Sequence, residues 1–318
     1  MTRKPLAEKT SENATEKTTQ ETSRRPTVAI VGAGSLATFL AVALHHAGFA
    51  ITEIVTRDSL RSRRHARALA AKVGAQLVTA DSAVLDATML WFCVPDREIR
   101  RAASALAVHL SAHALSHQKN KSKNKVRFAL HSSGALSSRE LDPLRKAGVA
   151  VASAHPLMTF VAGARPSLTG VPFAMEGDDA ARRVARQIVR ALGGQSFSLP
   201  AARKPAYHAW ATLTSPLLLA FLVTLEEAAR AAGLTPPDAR RKSLPIMQQT
   251  LANYARLGPA KSFSGPLNRG DAETVAKHLA VLKKHSGARE VYVALARSAL
   301  RGLPVKNSNA LRRLLRTP

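Results

Sequence analysis

One short segment near the start of the chain constrains the fold more than any other feature. Residues 27–37 read Thr-Val-Ala-Ile-Val-Gly-Ala-Gly-Ser-Leu-Ala, so a β-branched apolar run leads directly into a Gly-x-Gly-x-x-Ala motif. An apolar, alanine-rich helical pattern follows and stops at Gly48. A second apolar run, Ile51–Thr56, begins about 20 residues after the motif, which is the spacing typical of a strand–turn–helix–strand unit.

This order predicts the first half of a dinucleotide-binding unit, in which each small residue has a mechanical role. Gly32 permits the tight turn, Gly34 lets the backbone approach a pyrophosphate, and the methyl of Ala37 still allows close packing of helix on strand. The free amides at the helix start, including those of Ser35 and Leu36, are expected to hold the pyrophosphate. The alternative is an α/β domain without a nucleotide that only needs a tight turn here.

The end of the second predicted strand distinguishes between the two nicotinamide cofactors. An acidic side chain there would accept hydrogen bonds from the ribose of NAD, whereas a small polar residue followed by arginine suits the extra phosphate of NADP. Thr56 and Arg57 follow the second pattern, and three more arginines lie within residues 61–64. We therefore predict NADP, with NAD as the less favoured cofactor, and expect Asp58 to cap the helix that begins near Leu60.

The chain changes character after position 199. Strand patterns alternate with helical patterns over residues 26–199, which predicts an α/β, Rossmann-like domain with a doubly wound, mostly parallel sheet of about eight strands. Long alanine- and leucine-rich patterns then predict an all-α C-terminal domain over residues 200–302. Residues 1–25 are polar and predict a disordered tail, and residues 303–318 form a basic tail.

Ligands in open α/β sheets bind beyond the carboxyl ends of the strands. Val94 and Pro95 end a continuous apolar run and are expected to line the cofactor crevice. Cys93, inside that run, is interpreted as a packed apolar residue rather than a nucleophile. Upstream of it, Asp81 and Ser82 are expected to start a helix.

A polar segment follows the next predicted strand. The hydroxyls and amides of Ser132 and Ser133 predict contact with the nicotinamide ribose, and His131 and Gly134 are candidates for contact with a substrate carboxylate. The alternative is a helix N-terminus without a ligand. His155 ends a further strand and either contacts the ligand or holds its own loop.

The first helix of the predicted C-terminal domain opens with two candidate catalytic residues. Lys204 and His208 are four apart and share a helix face, so they can act as proton donor and orienter. The alternative is a lysine at a helix start and a histidine packed between domains. Farther along, Arg269 is a candidate ligand for an anionic substrate or a partner of Asp271, which is expected to cap the helix that begins at Ala272.

The charge and cysteine content limit the partners. The formal charge of +26 comes from 47 Lys and Arg against 21 Asp and Glu, spread along helices rather than gathered in a nucleic-acid-binding motif. We therefore expect no nucleic-acid partner, although the lysine-rich residues 117–125 are the best local argument for a polyanion. No apolar run is expected to span a membrane, no metal site is predicted, and a single cysteine fits a reducing cytoplasm.

The motifs together resemble a bacterial family that joins a Rossmann-like domain to a C-terminal domain of unknown function, family 2520. The resemblance covers roughly residues 26–302 and rests on Gly-Ala-Gly-Ser-Leu-Ala, Val-Pro-Asp, His-Ser-Ser-Gly-Ala-Leu, His-Pro-Leu-x-Thr-Phe, Lys-x-x-Tyr-His-Ala and Gly-Pro-Leu-x-Arg-Gly-Asp. More distantly, the chain is similar to the 6-phosphogluconate dehydrogenase C-terminal-like group. That group includes β-hydroxyacid dehydrogenases, pyrroline-5-carboxylate reductase and prephenate dehydrogenase.

The resemblance implies roles for several residues. Lys204 matches the catalytic lysine of β-hydroxyacid dehydrogenases, but His208 stands where they have asparagine, so their mechanism does not carry over in full. The segment that begins at His155 is similar to the His-Pro-Met of prephenate dehydrogenases. Thr56 and Arg57 are similar to the NADP-type strand end of pyrroline-5-carboxylate reductases. The resemblance also implies a homodimer formed through the helical domain.

These observations predict an NADP-dependent oxidoreductase that transfers hydride between the nicotinamide and a small carbonyl, imine or hydroxy-acid substrate in the inter-domain cleft. The positive surroundings suit an anionic small molecule. The alternative is a non-catalytic nucleotide-binding or regulatory protein that keeps the pyrophosphate loop. A third hypothesis, binding of a polyanion through residues 119–125 and the two tails, is the least favoured.

Overall fold

The computed structural model describes residues 25–116, 126–164 and 166–316. Apart from Arg25, the predicted N-terminal tail lies outside the described residues, as does the lysine-rich segment 117–125. The chain divides into two compact units, one ending at Pro205 and the other beginning at Ala206.

The first unit is built on one eight-stranded sheet, with the strand order β3-β2-β1-β4-β5-β6-β7-β8. The strands are β1 Val28–Val31, β2 Ile51–Thr56, β3 Gln76–Thr79, β4 Met89–Phe92, β5 Phe128–His131, β6 Ala150–Pro156, β7 Pro172–Gly177 and β8 Gln195–Ser198. All neighbouring strands are parallel except β6 and β7, which are antiparallel. The predicted doubly wound, mostly parallel sheet is therefore confirmed.

Helices cover both faces of this sheet, which explains why β1 and β4 are apolar without alternation. The helices are α1 Ser35–His46, α2 Leu60–Val73, α3 Asp96–Ser116, α4 Asp142–Lys146 and α5 Asp179–Ala191. Leu40, Leu69 and Ile188, from α1, α2 and α5, pack into the core on one face. Leu106 and Leu144, from α3 and α4, pack into the core on the other.

The helix predicted to begin at Asp81 and Ser82 is absent, and this prediction is wrong. The segment between β3 and β4 is a loop instead. Its amides at Val84 and Leu85 donate to the carboxylate of Glu53 on β2, at 2.8 and 3.0 Å. A buried carboxylate about 30 residues away in sequence thus accepts hydrogen bonds from amides that a helix would have bonded to its own carbonyls.

The second unit is all-α, as predicted. Its helices are α6 Lys204–Thr214, whose first two residues group with the first unit, α7 Pro216–Arg230, α8 Pro236–Ser262, α9 Pro266–Arg269, α10 Ala272–Val281, α11 Ser286–Gly302 and α12 Ser308–Leu314. Pro216 separates α6 from α7, where the sequence pattern predicts one continuous helix over residues 204–233. Gly258 is non-helical inside α8, as expected from the predicted helix break at Gly258 and Pro259. The basic tail contains the helix α12, and its Leu311 and the following Leu315 are buried in the core of this unit.

One helical stretch contradicts the expectation that no apolar run could span a membrane. Residues 201–230 are long and apolar enough by length and composition, with a mean hydropathy of 1.5 over the best 18-residue window. None of that window is buried. Large apolar side chains, among them Trp210, Leu213 and Leu219, are at least half exposed.

Candidate cofactor and active site

The glycine-rich turn lies where the strand order reverses, next to the ends of β1 and β4. Gly32 has a φ of +114°, and a Cβ there would stand 2.5 Å from the carbonyl oxygen of Cys93. Only glycine fits both the conformation and the space. The amide of Gly32 donates to the carbonyl of Val55 at 2.8 Å, and the amide of Cys93 donates to that of Val31 at 2.8 Å. The turn is thereby tied to both neighbouring strands.

The N-terminus of α1 is prepared for an anion. Gly34 precedes the helix in an extended conformation, and within the described part of the chain no side chain caps it. The first turn carries no acidic residue. Gly34 and Ser35 are exposed, and no described atom lies within 4 Å of the place where a Cβ on Gly34 would stand. Unpaired amides and the positive helix end together favour a phosphate group.

These elements open into one cleft of about 2040 Å³. The structure brings together in it most of the predicted cofactor residues, namely Gly32, Gly34, Ser35, Thr56, Arg57, Val94 and Pro95. Leu36 is not among the described cleft residues, so contact through its amide stays a prediction. Sequence reasoning missed several polar cleft residues: Ser62, His65, Lys72, Thr79 and Arg101. The helical spacing of Arg61 and His65 was the available signal, since residues four apart share a helix face.

The predicted capping role of Asp58 is wrong. Ser59 caps α2 instead, accepting from the amide of Ser62 at 3.3 Å. Asp58 pairs with Arg63 at 3.2 Å, and both side chains are at least half exposed. Asp58, the acidic residue that follows β2, is thus paired with the guanidinium of Arg63. It does not neutralise the charge of the neighbouring Arg57. An exposed pair of this kind contributes little to stability.

The hydroxyls predicted to contact the cofactor form hydrogen bonds within the first unit. Ser132 Oγ accepts from Trp91 Nε1 at 2.9 Å. Ser133 Oγ donates to Asp96 Oδ2 at 2.8 Å and accepts from the amides of residues 135 and 136. Both serines are buried. They shape the loop after β5, and a direct contact of either with a ligand stays a prediction.

His131 is fully buried, and both of its ring nitrogens have partners. Nδ1 accepts from the amide of Ser133 at 3.1 Å, so Nε2 carries the proton and donates to the carbonyl of Ser137 at 3.0 Å. Burial, together with the charge of Lys204, lowers the pKa of His131 to about 3. The imidazole is therefore neutral at physiological pH and braces the loop around the buried Gly134. His155, in β6, is partly buried and also lowers the pKa of His131.

Lys204 belongs to the first unit, and its side chain is 1% exposed. Its Nζ donates to the carbonyl of Ser133 at 2.9 Å and to Ser153 Oγ at 2.6 Å. Burial lowers the pKa of Lys204 to about 8, although Glu176 and Asp96 favour the charged form. Sequence reasoning missed Ser153. The available signal was one hydroxyl among the small apolar residues at positions 150–154.

The other predicted site residues lie in the second unit. His208 is on α6 with an exposed side chain, four residues after Lys204. Arg269 is exposed at the end of α9. Asp271 caps α10 as predicted, accepting from the amide of Thr274 at 3.0 Å and from its hydroxyl at 2.7 Å. The ligand roles of His208 and Arg269 stay predictions.

Two family models match the chain. Residues 27–115 match the model described as NADP oxidoreductase, coenzyme F420-dependent, and residues 171–299 match the domain of unknown function DUF2520. The chain pairs an NADP oxidoreductase-type Rossmann domain with a DUF2520 domain. The predicted family resemblance, NADP cofactor and oxidoreductase class are thereby confirmed. A comparison with curated protein sequences finds no match.

Solved structures share the fold of the DUF2520-containing chain. A proposed NADP oxidoreductase from Bacteroides fragilis has a TM-score of 0.67 at 20% identity, covering 86% of this chain and 97% of that one. An imine reductase from Myxococcus stipitatus in complex with NADP⁺ has a TM-score of 0.58 at 16% identity, covering 91% and 100%. A pyrroline-5-carboxylate reductase from Coxiella burnetii has a TM-score of 0.54 at 15% identity, covering 91% and 97%.

Proposed function

We propose that this protein is an NADP-dependent oxidoreductase acting on a small, anionic carbonyl, imine or hydroxy-acid compound. The observation that carries the proposal is the cleft itself. It joins the Gly32 turn, the uncapped start of α1 and the Thr56–Arg57 strand end in one continuous space. The bound dinucleotide supplies or accepts the hydride at C4 of its nicotinamide. The imine reductase and pyrroline-5-carboxylate reductase of the same fold support this substrate class.

The preference for NADP follows from the charged residues that line the cleft. Arg57, Arg61, His65 and Lys72 line it, and Asp58 is held by Arg63. A 2′-phosphate adds negative charge to the adenosine ribose, and arginine is the side chain best suited to bind phosphate. These residues would bind and orient the cofactor without taking part in the hydride step.

Reduction of a carbonyl or an imine also needs a proton, and we assign it to Lys204. Its Nζ sits on the carbonyl of Ser133, in the loop after β5, and ligands of this fold bind beyond the strand ends. With a pKa of about 8, Lys204 can give up and regain a proton near neutral pH. His208, one turn later on α6, is the proposed orienter, and Arg269 the proposed anion ligand.

A second function is favoured by one observation. The side chains of residues 131–133 and the ammonium of Lys204 are all engaged in internal hydrogen bonds. A non-catalytic, nucleotide-binding regulatory protein would keep the cofactor cleft and use these groups only as braces. Turnover with a substrate separates the two functions, because the regulatory protein binds NADPH without oxidising it.

The deciding experiment is a fluorescence titration with NADPH and NADH. The proposal predicts tighter binding of NADPH, and Arg57→Asp should reverse that preference. Absence of binding to either cofactor would refute the oxidoreductase. If NADPH binds, its oxidation is then followed by the loss of the absorbance of the reduced nicotinamide, in the presence of each member of a panel of keto acids and cyclic imines.

We further propose a cytoplasmic homodimer formed through the helical unit. Trp210, Leu213, Leu219 and Val223 are each at least half exposed, and large exposed apolar surface is typical of an interaction site. A second copy of the chain would cover it. Leu219→Asp should convert a dimer into a monomer in light scattering. A monomeric wild-type protein, or one that sediments with lipid vesicles, would contradict this arrangement.

A further inference from the structure

Three polar side chains lie side by side inside the sheet. His131 on β5 pairs in register with Ser153 on β6, and Ser153 pairs with Glu176 on β7. Residues at the same register point to the same face of a sheet, so the three form one continuous row. All three are buried, His131 and Ser153 completely. Polar groups in such a place are costly unless they are hydrogen-bonded, so their partners are informative.

The outer members of this row are bonded to the segment after β5. His131 holds the amide of Ser133 and the carbonyl of Ser137. Glu176 accepts from the amide of Ser138 at 2.5 Å and from its hydroxyl at 3.0 Å. The middle member has a different partner, because Ser153 Oγ lies 2.6 Å from Lys204 Nζ.

The direction of the hydrogen bonds at Ser153 is determined. Its hydroxyl has one proton, which it donates to the carbonyl of Ser133 at 3.3 Å. A carbonyl can only accept, so Ser153 must accept from Lys204. Lys204 also donates to the same carbonyl at 2.9 Å. Three atoms therefore form a closed triangle, in which the ammonium donates to both oxygens and the hydroxyl donates to the carbonyl.

We propose that Ser153 is the positioning residue for Lys204. Its hydroxyl holds the ammonium against the loop after β5. Ser153 itself is paired in register with Glu176 on the neighbouring strand. This inference deepens the proposed function, because it rests on Lys204 as the proton-bearing group. It assigns a role to a strand residue that carries no recognisable motif.

The charges around Lys204 determine what the loss of this hydroxyl does. Glu176 and Asp96 favour the ammonium, whereas burial disfavours it and lowers the pKa to about 8. His131 is neutral, and His155 lies near it. A hydrogen bond to a charged donor is stronger than one to a neutral amine. Removal of the Ser153 acceptor therefore destabilises the ammonium more than the amine.

The test is a direct titration of Lys204 in the full-length protein, by NMR of ¹³C-labelled lysine side chains. The signal is assigned by its loss in Lys204→Arg. Ser153→Ala should lower the titration midpoint by about one pH unit, a tenfold loss of proton affinity. Ser153→Thr keeps the hydroxyl and should restore the wild-type midpoint. Ser111→Ala, which removes a hydroxyl bonded within α3, should leave it unchanged.

An unchanged midpoint in folded Ser153→Ala would overturn the proposal. If Ser153→Ala does not fold, Ser153→Cys carries the same test, since a thiol is a weak acceptor of similar size and should shift the midpoint in the same direction. The titration needs neither cofactor nor substrate. It can therefore fail while NADPH binding succeeds, and the reverse, which separates this inference from the proposed function. In an active enzyme, the pH profile of kcat should move with the midpoint.

Discussion

The carbonyl oxygen of Cys93 occupies the space where a side chain on Gly32 would begin, 2.5 Å from the Cβ position. The end of β4 thus lies directly against the turn after β1, which leaves no space for a side chain at position 32. Gly34, two residues later, has an extended backbone and open space beside it. The two glycines of one motif thus face different physical constraints.

This difference predicts opposite effects of the same substitution. Gly32→Ala forces a methyl against backbone at a positive φ and should destabilise the protein by roughly 2–4 kcal/mol. Gly34→Ala should leave the unfolding temperature close to wild type but weaken NADPH binding at least tenfold, because the methyl fills the approach to the pyrophosphate. Calorimetry and fluorescence titration measure the two effects. Equal stability of both variants would contradict the geometry.

The ion pair between Asp58 and Arg63 predicts a second-site effect on cofactor choice. Arg63→Ala releases a carboxylate beside Arg57, so NADPH affinity should fall about two- to fivefold at low salt, in keeping with the small energy of an exposed pair. NADH affinity should change little. Arg67→Ala, an exposed arginine on the same helix, is the matched control. A loss of equal size in the control would attribute the effect to general charge.

The neutral, buried state of His131 predicts instability in acid. Its pKa is about 3 in the folded protein against an ordinary 6.5, so the unfolded chain binds more protons between these values. The free energy of unfolding should therefore fall as the pH falls below 6.5, by up to about 1.4 kcal/mol per unit from this group. Urea unfolding at several pH values measures the slope, which should be shallower in His131→Asn. Equal slopes would show that His131 is not the responsible group.

The buried Lys204 predicts a gain in stability as the pH rises into the basic range. Its pKa is about 8 when folded and 10.5 in its ordinary state, so the unfolded chain binds more protons between these values. The cost of burying the ammonium is fully present below pH 8 and is relieved as the pH rises, by roughly 3 kcal/mol in total. Between pH 7.5 and about 10, the free energy of unfolding of the wild type should therefore rise relative to that of Lys204→Met. A constant difference would contradict a buried, charged lysine.

Local patterns predicted most strands and helices of the first unit, because burial and backbone conformation at each position are reflected in a few neighbouring residues. The unbroken apolar runs of β1 and β4 reflect burial on both faces, and Gly32 reflects a backbone conformation closed to other residues. Thr56 and Arg57 indicated the cofactor for the same reason, since a strand end and its next residue are neighbours in sequence. The alternation of strands and helices was sufficient for the sheet.

The tertiary structure alone decided which polar groups serve one another. Glu53 takes the amides that a helix at Asp81 needed, and Ser153 meets Lys204 across 51 positions of the chain. Partners so far apart in sequence are brought together by the packing of strands against loops and helices, which local periodicity does not contain. A buried hydroxyl needs a hydrogen-bond partner, so the sequence indicated that Ser153 would have one. Only the tertiary structure determined that its partners are the ammonium of Lys204 and the carbonyl of Ser133.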